Sequence, residues 1–318
     1  MHAAMVEDFS RPPRYRETVL PVANEEEVVV KVRAAALSNL VRSQANGTHY
    51  SSPGELPFTP GNDGVGVVGA DNERVYFISP RSPYGSMAEY TVVSKDMTIP
   101  VPANIDDVDA AALGNPGLAT WGSLLCRAKL QASEGVLING ATGTAGRQAI
   151  QVAKYLGASR IIATGRNEHK LRELEVLGAD ETIWLRQPQD TLLRSFRSAL
   201  ATVQVVLDFL WGPSAELILK AAAGHGAPEG VNRIRFVQIG SISSPTIALP
   251  ANVLRSSGLE LLGSGLGSLS SEQILQSLRA MFAAASAVQF AIDIEPLPLA
   301  QVEEAWTRQD ERRIVFIP

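Results

Sequence analysis

The sequence predicts an α/β protein built on a doubly wound parallel sheet, preceded by a β-rich region. From about residue 118 onward, apolar strands alternate with amphipathic helices. Before that point, short strand-like runs are separated by Gly, Pro and Asn. A glycine-rich turn, NGATGTAG at 139–146, stands directly between a strand and a helix. Strands that alternate with helices pair in parallel, which makes a doubly wound sheet the expected architecture.

The elements follow this division in order. The β-rich part begins with a valine run and is broken into loops by prolines, so its strands are short. The tail after about residue 285 again contains strand-like runs and need not belong to the domain just before it. The predicted strands are 25–37, 64–70, 74–79, 88–93, 135–140, 160–165, 182–185, 203–210, 233–240 and 259–265, and the later ones alternate with helices at 147–158, 168–179, 190–200 and 214–223.

The composition of the 318 residues excludes several classes of protein. Hydrophobic residues make up 45%, charged residues 19%, and the net charge is −5, so no nucleic-acid partner is expected. The lone Cys126 excludes an internal disulfide and a thiolate-rich zinc site, and it fits a reducing, cytoplasmic location. The longest apolar stretch, 280–292, is too short to span a bilayer, and no signal peptide is recognised, so no membrane partner is expected.

The glycine turn predicts a cradle for a pyrophosphate. The G-x-G-x-x-G pattern keeps Gly143 and Gly146 but has Ala141 at its first position. Gly143 allows close approach of the backbone to phosphate, Gly146 allows the helix to pack on the strand, and free N–H groups of the first helical turn face the anion. Thr142 and Thr144 add hydroxyls. The alternative is a helix N-terminus that binds no ligand.

The residues after the second strand predict which dinucleotide is bound. An NAD site places Asp or Glu there, but this chain has Gly165 followed by Arg166. A guanidinium binds a 2′-phosphate with two hydrogen bonds, and Lys170 adds a second positive charge. We therefore expect NADPH as the cofactor. The alternative is that Arg166 and Lys170 are ordinary solvated surface residues.

Seven segments in chain order carry a family pattern. They are FTPGNDGVGVV (58–68), GSMAEYTVVSKDMTIPVPANIDDVDAAAL (85–113), GLATWGSLL (117–125), NGATGTAGRQAIQVAKYLGA (139–158), VQVVLDFLWG (203–212), RFVQIG (235–240) and QVEEAW (301–306). Together they resemble the medium-chain dehydrogenase/reductase superfamily, and within it the zinc-independent quinone oxidoreductase (zeta-crystallin-like) branch.

The resemblance implies a GroES-like β-barrel catalytic domain at 1–117, a Rossmann NADP-binding domain at 118–284 with a helix starting near 117, and a segment 285–318 that returns to the catalytic domain. The active site is expected in the cleft, and a homodimer is expected through the edge strand around 259–263. The implied reaction is hydride transfer from NADPH to a small-molecule quinone or another α,β-unsaturated carbonyl compound.

The resemblance also implies the site residues. Ser38 and Asn39 are alternatives for the Asn of the family's active-site loop, and Thr120 is displaced by one position from the usual threonine. Tyr50 lines the substrate pocket or donates a proton, or it is a plain loop residue and solvent supplies the proton. Asp208 ends a strand, where it faces a ligand or caps the next turn. The implied cofactor-binding residues are Thr120, Ala141, Thr142, Gly143, Thr144, Ala145, Gly146, Gly165, Arg166, Asn167, Lys170, Phe209, Ile239 and Gly240.

A metal is not expected in the site. Ser38 and Asn39 stand where the zinc-dependent relatives have their first ligand. Alcohol oxidation without zinc loses the ion that lowers the hydroxyl pKa, whereas conjugate reduction loses less, because hydrogen bonds can hold the enolate oxygen. Two alternatives remain open: an enoyl-thioester reductase of the same superfamily, and a non-catalytic NADPH-binding or sensor protein.

Overall fold

The computed structural model describes residues 1–223, 232–308 and 312–318. The chain divides into two compact units. The first unit combines Met1–Asn115 with Leu278–Pro318, and the second is Pro116–Ser277. The sequence places these divisions after residues 117 and 284 instead. The C-terminal segment joins the N-terminal unit through the strand pairing of its last residues with the long valine-rich strand.

The first unit contains a mainly antiparallel sheet and a separate two-stranded hairpin of β1 and β2. The sheet runs in the order β14-β15-β3-β4-β5-β7, and β6 pairs with the beginning of β3. The elements of this unit are β1 (His2–Met5), β2 (Arg14–Glu17), β3 (Glu27–Ala36), α1 (Asn39–Ala45), β4 (Asp63–Val68), β5 (Glu73–Ile78), β6 (Tyr90–Ser94), β7 (Thr98–Pro100), β14 (Ile294–Pro298), α9 (Val302–Trp306) and β15 (Arg313–Ile317).

The length of β3 lets two further strands pair with it at different points. Its ten residues are long enough for β6 to pair with the first half while β15 pairs with Ala35 and Ala36. The buried Val30 and Val32 alternate with the exposed Lys31 and Arg33, so that one face packs on a core that includes Phe77 and Phe316.

The second unit is a six-stranded parallel sheet in the order β10-β9-β8-β11-β12-β13. The strand order reverses between β8 and β11, which is the switch point where doubly wound sheets bind ligands. Every residue of β8 and β11 is buried, because helices cover both faces. The elements are β8 (Gly135–Asn139), α3 (Thr144–Tyr155), β9 (Arg160–Gly165), α4 (Glu168–Leu177), β10 (Glu181–Trp184), α5 (Gln189–Leu200), β11 (Val205–Asp208), α6 (Pro213–Ala222), β12 (Arg233–Gln238), α7 (Ala251–Arg255) and β13 (Gly258–Gly263).

Two longer helices are α2 (Asp107–Trp121) and α8 (Ser271–Ala287). The expected helix start near 117 is wrong, because α2 already begins in the acidic, alanine-rich stretch. Asp106 accepts a hydrogen bond from the Asp109 N–H there, and acidic side chains favour a helix N-terminus. Pro116 lies inside α2, and the chain continues as a π-helix over Gly122–Arg127. Along the described residues, no helix combines the length and apolar character needed to cross a bilayer.

Candidate functional site

The turn between β8 and α3 is built around two glycines. Gly140 has a φ of +92°, a left-handed conformation that favours glycine. Ala141 is not among the left-handed residues, so the alanine in the G-x-G-x-x-G pattern causes no backbone strain. A Cβ on Gly146 would lie 2.5 Å from the Gly140 carbonyl oxygen and from the Ala141 Cα. Gly146 therefore lets α3 pack directly on the turn.

The N-terminus of α3 is exposed at Gly143. Its N-cap is Gly143, and no side chain caps the helix there. A Cβ on Gly143 would meet only the Gly140 carbonyl oxygen, at 3.9 Å. The first N–H groups of a helix have no partner within it, so these donors suit a pyrophosphate. Thr142, Thr144 and Ala145 are half-buried beside them.

The end of β9 lies against this turn. A Cβ on Gly165 would be 2.6 Å from the Thr142 methyl carbon, so the two segments are in direct contact. Arg166 follows and is exposed, and its carbonyl oxygen accepts a hydrogen bond of 3.0 Å from the Trp184 indole N–H. In the described part of the chain, no carboxylate pairs with the Arg166 guanidinium. The structure thus places a fixed backbone with an exposed cation beside the turn.

Asn167 serves α4 as its N-cap. Its side-chain oxygen accepts hydrogen bonds from the N–H groups of His169 and Lys170, at 3.0 and 3.3 Å. Glu168 is the first residue of α4, where a negative charge favours the helix dipole. The capping fixes the backbone between Arg166 and Lys170, directly after the end of β9.

Three further predicted residues come together after β11 and β12, on one side of the switch point. The N–H groups of Ile239 and Gly240 both donate to the carbonyl oxygen of Asp208, at 2.8 and 3.1 Å. A Cβ on Gly240 would lie 2.7 Å from the Phe209 carbonyl oxygen. Phe209, Ile239 and Gly240 are therefore neighbours at the carboxyl ends of β11 and β12, the sheet edge where such folds bind ligands.

A buried polar cluster lies beneath the glycine turn. The Asn139 side-chain N–H₂ donates to the Asp208 carboxylate at 2.8 Å and to the Ser214 hydroxyl at 2.9 Å. The Thr164 hydroxyl donates to the Asn139 side-chain oxygen at 2.8 Å and accepts from the Gly140 N–H at 3.1 Å. Asn139 and Thr164 are not among the predicted site residues. A sequence feature that could have identified them is their position, because Asn139, Thr164 and Asp208 all lie at or near the ends of neighbouring strands.

Asp208 is fully buried and caps the segment that follows it. Its carboxylate accepts from the N–H groups of Leu210 and Trp211. Burial raises its pKa to about 6, against the hydrogen bonds from Asn139, Leu210 and Trp211, which lower it. Of the two roles open from the sequence, the structure shows the cap.

Thr120 is fully buried, and its hydroxyl donates to the Pro116 carbonyl oxygen at 2.9 Å. The hydroxyl thus satisfies a carbonyl within α2, close to the proline that interrupts the helical hydrogen bonds. A cofactor contact by Thr120 stays a prediction.

The predicted catalytic residues lie at the start of α1 and after its end. Ser38 is buried and caps this helix, since its hydroxyl accepts from the Val41 N–H at 3.2 Å. Asn39 is the first helical residue and is exposed. Tyr50 is 82% exposed, and its ring lies tilted against the His49 ring at 4.2 Å between centroids. These roles stay predictions, and of the two candidates Asn39 carries the side chain without a capping bond.

A cavity of about 180 Å³ opens close to these residues in the first unit. The Asn62 side-chain N–H₂ donates to the Gln44 oxygen at 2.5 Å, and the Gln44 N–H₂ donates to the Ser51 hydroxyl at 2.9 Å. That hydroxyl contacts the His49 Nδ1 at 2.8 Å, and burial lowers the pKa of His49. Gln44 and Asn62, which sequence reasoning missed, line a polar pocket whose rim carries the Tyr50 loop.

The described residues form no cluster suited to bind a metal ion. Across residues 1–223, 232–308 and 312–318, no group of three or more His, Cys, Asp or Glu side chains is placed to hold a metal ion. Cys126 is half-buried, with its sulfur 3.7 Å from the Ser277 hydroxyl.

Comparison with known proteins agrees with this geometry. The family described as zinc-binding dehydrogenase matches residues 145–283. The probable NADPH-dependent quinone reductase tdiC of Emericella nidulans is 28% identical over the full length of both chains. The quinone oxidoreductase of Homo sapiens is 31% identical over 57% of each chain. The quinone oxidoreductase of Thermus thermophilus, whose structure was also solved with NADPH, is 26% identical over both whole chains, with a TM-score of 0.81.

The likeness in sequence and fold extends over the whole chain. It agrees with the predicted medium-chain dehydrogenase/reductase superfamily and its quinone oxidoreductase branch. The predicted oxidoreductase class is confirmed. The predicted fold class, a Rossmann doubly wound sheet plus a GroES-like β-barrel domain, is confirmed as well.

Proposed function

We propose that this reductase transfers hydride from NADPH to quinones or other α,β-unsaturated carbonyl compounds, and that it needs no zinc. The observation that carries the proposal is the pairing of an uncapped α3 N-terminus with an exposed Arg166 beside it. The first feature suits a pyrophosphate, and the second suits a 2′-phosphate. The names of tdiC and of the Thermus structure, both of which mention NADPH, support the choice of cofactor.

The chain's own residues bind and orient the cofactor. The N–H groups of Thr144 to Gly146 would hold the pyrophosphate, and Arg166 with Lys170 would attract the 2′-phosphate. Phe209, Ile239 and Gly240, at the sheet edge where such folds bind ligands, would hold the rest of the cofactor. NADPH supplies the hydride, and positioning of the acceptor accounts for most of the rate.

The zinc-independent reaction rests on the residues at the active-site loop. Ser38 and Asn39 occupy the place of the first zinc ligand, and neither is a thiol. A developing enolate is stabilised by hydrogen-bond donors instead, for which Asn39 and water are the available groups. The reduced carbon receives hydride, and solvent returns the proton to the enolate.

The test is NADPH oxidation, followed by absorbance, with a panel of quinones, enones and enoyl thioesters. We expect turnover with quinones or enones, and no loss of activity after treatment with a chelator. Turnover only with enoyl thioesters would assign the chain to that class of reductase. Tight NADPH binding without any turnover would identify a binding or sensor protein and would refute the enzymatic proposal.

We also propose that the enzyme is a cytoplasmic homodimer joined through β13. In the described part of the chain, β13 pairs with β12 on one side only, and Leu261 on it is 39% exposed. An open strand edge pairs readily with a second copy. The lone cysteine supports a reducing compartment. Light scattering should give a dimer, and Leu261→Lys should shift it toward monomer.

A further inference from the structure

The buried cluster beneath the glycine turn is a directional chain of hydrogen bonds. It runs from the Gly140 N–H to the Thr164 hydroxyl, and from that hydroxyl to the Asn139 side-chain oxygen. On the other side, the Asn139 N–H₂ donates to Asp208. Each group donates in one direction and accepts from the other, so the chain has a single polarity.

Asp208 is the group that sets this polarity. An ionised carboxylate accepts hydrogen bonds and donates none, whereas an amide and a hydroxyl do both. The Asn139 amide must therefore turn its N–H₂ toward Asp208, which leaves its oxygen facing Thr164. The Thr164 hydroxyl then donates its proton to that oxygen, and its own oxygen accepts the hydrogen bond from the Gly140 N–H.

The last hydrogen bond of this chain, from the Gly140 N–H to the Thr164 hydroxyl, lies in the glycine turn itself. Gly140 is the left-handed residue that reverses the backbone after β8, and its carbonyl oxygen lies where a Cβ on Gly146 would stand. The Ala141 N–H is held separately by the Thr164 carbonyl oxygen, at 2.8 Å. Thr164 thus fixes two successive N–H groups of the turn, and the packing of α3 depends on the position of Gly140.

We propose that Asp208 is a positioning residue for the cofactor turn: its carboxylate orients Asn139 and, through Thr164, holds Gly140 in the conformation that binds a dinucleotide pyrophosphate. This inference rests on the proposed NADPH-binding function. Among the described residues, no hydrogen bond joins the Asp208 side chain to Gly140 directly, and it acts through the side chains of Asn139 and Thr164.

The same geometry makes the turn sensitive to pH. The groups that donate to the Asp208 carboxylate are the Asn139 side chain on β8 and the N–H groups of Leu210 and Trp211, all of them neutral. Among the described residues, no charged side chain contributes to its shifted pKa of about 6. A protonated Asp208 can itself donate, so it no longer requires the Asn139 N–H₂ group to face it. Dinucleotide binding should therefore weaken as the pH falls below about 6.

The test uses matched variants at two points of the chain. Thr164→Val removes the hydroxyl at nearly constant volume, whereas Thr164→Ser keeps it. Asp208→Asn removes the charge and keeps the size. Two quantities are measured: the Kd for NADPH and NADH by fluorescence titration, and hydrogen exchange of the Gly140 amide in the protein without cofactor. NADH matters because the 2′-phosphate of NADPH titrates near pH 6 by itself.

We expect Thr164→Val and Asp208→Asn each to raise the NADH Kd by about tenfold and to speed exchange at Gly140 by a similar factor. Thr164→Ser should retain wild-type values. The variant that combines Thr164→Val with Asp208→Asn should raise the NADH Kd no more than either substitution alone, because both interrupt the same chain of hydrogen bonds. The weakening below pH 6 should be present in the wild type and absent in Asp208→Asn.

Additive losses, a pH-independent wild type, or unchanged exchange at Gly140 in Thr164→Val would each overturn the positioning role. Failure of the wild type to bind either dinucleotide would instead refute the proposed function. Thermal unfolding of each variant, run in parallel, identifies any that fail to fold; Thr164→Val and Thr164→Ser then carry the test, since they leave the carboxylate intact.

Discussion

Two buried carboxylates, one in each unit, differ in what surrounds them. Asp63 on β4 accepts a hydrogen bond of 2.7 Å from the Tyr76 hydroxyl, and the charge of buried Arg313 lowers its pKa against the effect of burial. Asp208 on β11 accepts only from neutral donors. Burial raises the pKa of both groups. Asp63 therefore has a counter-charge, and Asp208 has none.

The difference separates a structural cluster from one that can titrate. Proton exchange at Asp208 changes the net charge of its cluster, and nothing nearby compensates for it. In the first unit the carboxylate offsets a cation, and the Arg313 Nε and one of its Nη atoms have no hydrogen-bond partner among the described residues. Loss of Asp63 leaves a buried charge uncompensated, whereas loss of the Asp208 charge removes a burial penalty but disturbs a hydrogen-bond chain.

The largest effect is expected from Asp63→Ala. Asp63 carries the charge that offsets the buried Arg313, and removing the counter-charge of a buried cation costs up to about 3–5 kcal/mol of folding free energy, because the remaining charge stays buried. Urea denaturation measures this loss, and the Kd for NADPH of the folded variant should be unchanged. Asp63→Asn, which keeps an acceptor for Tyr76, should lose less. A loss below about 1 kcal/mol in Asp63→Ala would mean that Arg313 does not depend on Asp63.

The second effect concerns pH and Asp208. Its pKa is about 6 in the folded state against a usual 3.8, so the folded protein binds the proton more tightly. The stability that this group contributes is present below about pH 4 and is lost as the pH rises through about 6, by roughly 3 kcal/mol in total. The unfolding free energy of the wild type minus that of Asp208→Asn should fall by this amount between pH 4 and 7. A constant difference would contradict it.

A third variant changes binding without touching either carboxylate. Arg166→Ala should raise the NADPH Kd by about tenfold to a hundredfold, since a charge-assisted pair with the 2′-phosphate is lost. The NADH Kd and the melting temperature should stay at wild-type values. Arg172→Ala, an exposed arginine on α4, is the matched control. Equal losses for both cofactors would mean that Arg166 does not recognise the 2′-phosphate.

The smallest effect is expected from Tyr76→Phe. It removes one hydrogen bond to Asp63 and leaves the ring in place, so about 1 kcal/mol of stability should be lost. Tyr90→Phe on β6, where no side-chain hydrogen bond is seen, should lose less. If Tyr76→Phe destabilised the protein as much as Asp63→Ala, the Tyr76 hydroxyl and not the charge of Asp63 would hold the cluster together.

The sequence predicts the scaffold of the cofactor site better than its support. The glycine turn, the strand before it and Arg166 after the next strand are local features, legible from spacing alone. The left-handed residue, however, is Gly140, which lies outside the G-x-G-x-x-G pattern although the Asn-Gly pair is a known turn signal. The start of α2 at Asp107 differs from the start predicted near 117, although acidic residues at this point are a sequence signal for a helix N-terminus.

The hydrogen-bond chain from Asp208 to Gly140 was beyond the reach of the sequence. Its members come from β8, β9 and β11, and their contacts depend on the strand order of the sheet. The exposure of Tyr50 could not be predicted for a different reason. A loop sequence does not indicate whether a side chain is buried, and the Tyr50 ring is 82% exposed. The residues of a turn can be predicted from the local sequence, whereas the contacts between neighbouring strands cannot.

Under the proposed function, the uncapped N-terminus of α3 links the stability of the protein to the supply of its cofactor. A bound dinucleotide would supply the acceptor that no side chain of the described residues offers to the first N–H groups of this helix. Ligand at a hundred times its Kd stabilises a folded protein by about 2.7 kcal/mol. A cell with depleted NADPH would therefore hold a larger unfolded fraction of this reductase and degrade it faster, so that its abundance follows the supply of reducing power.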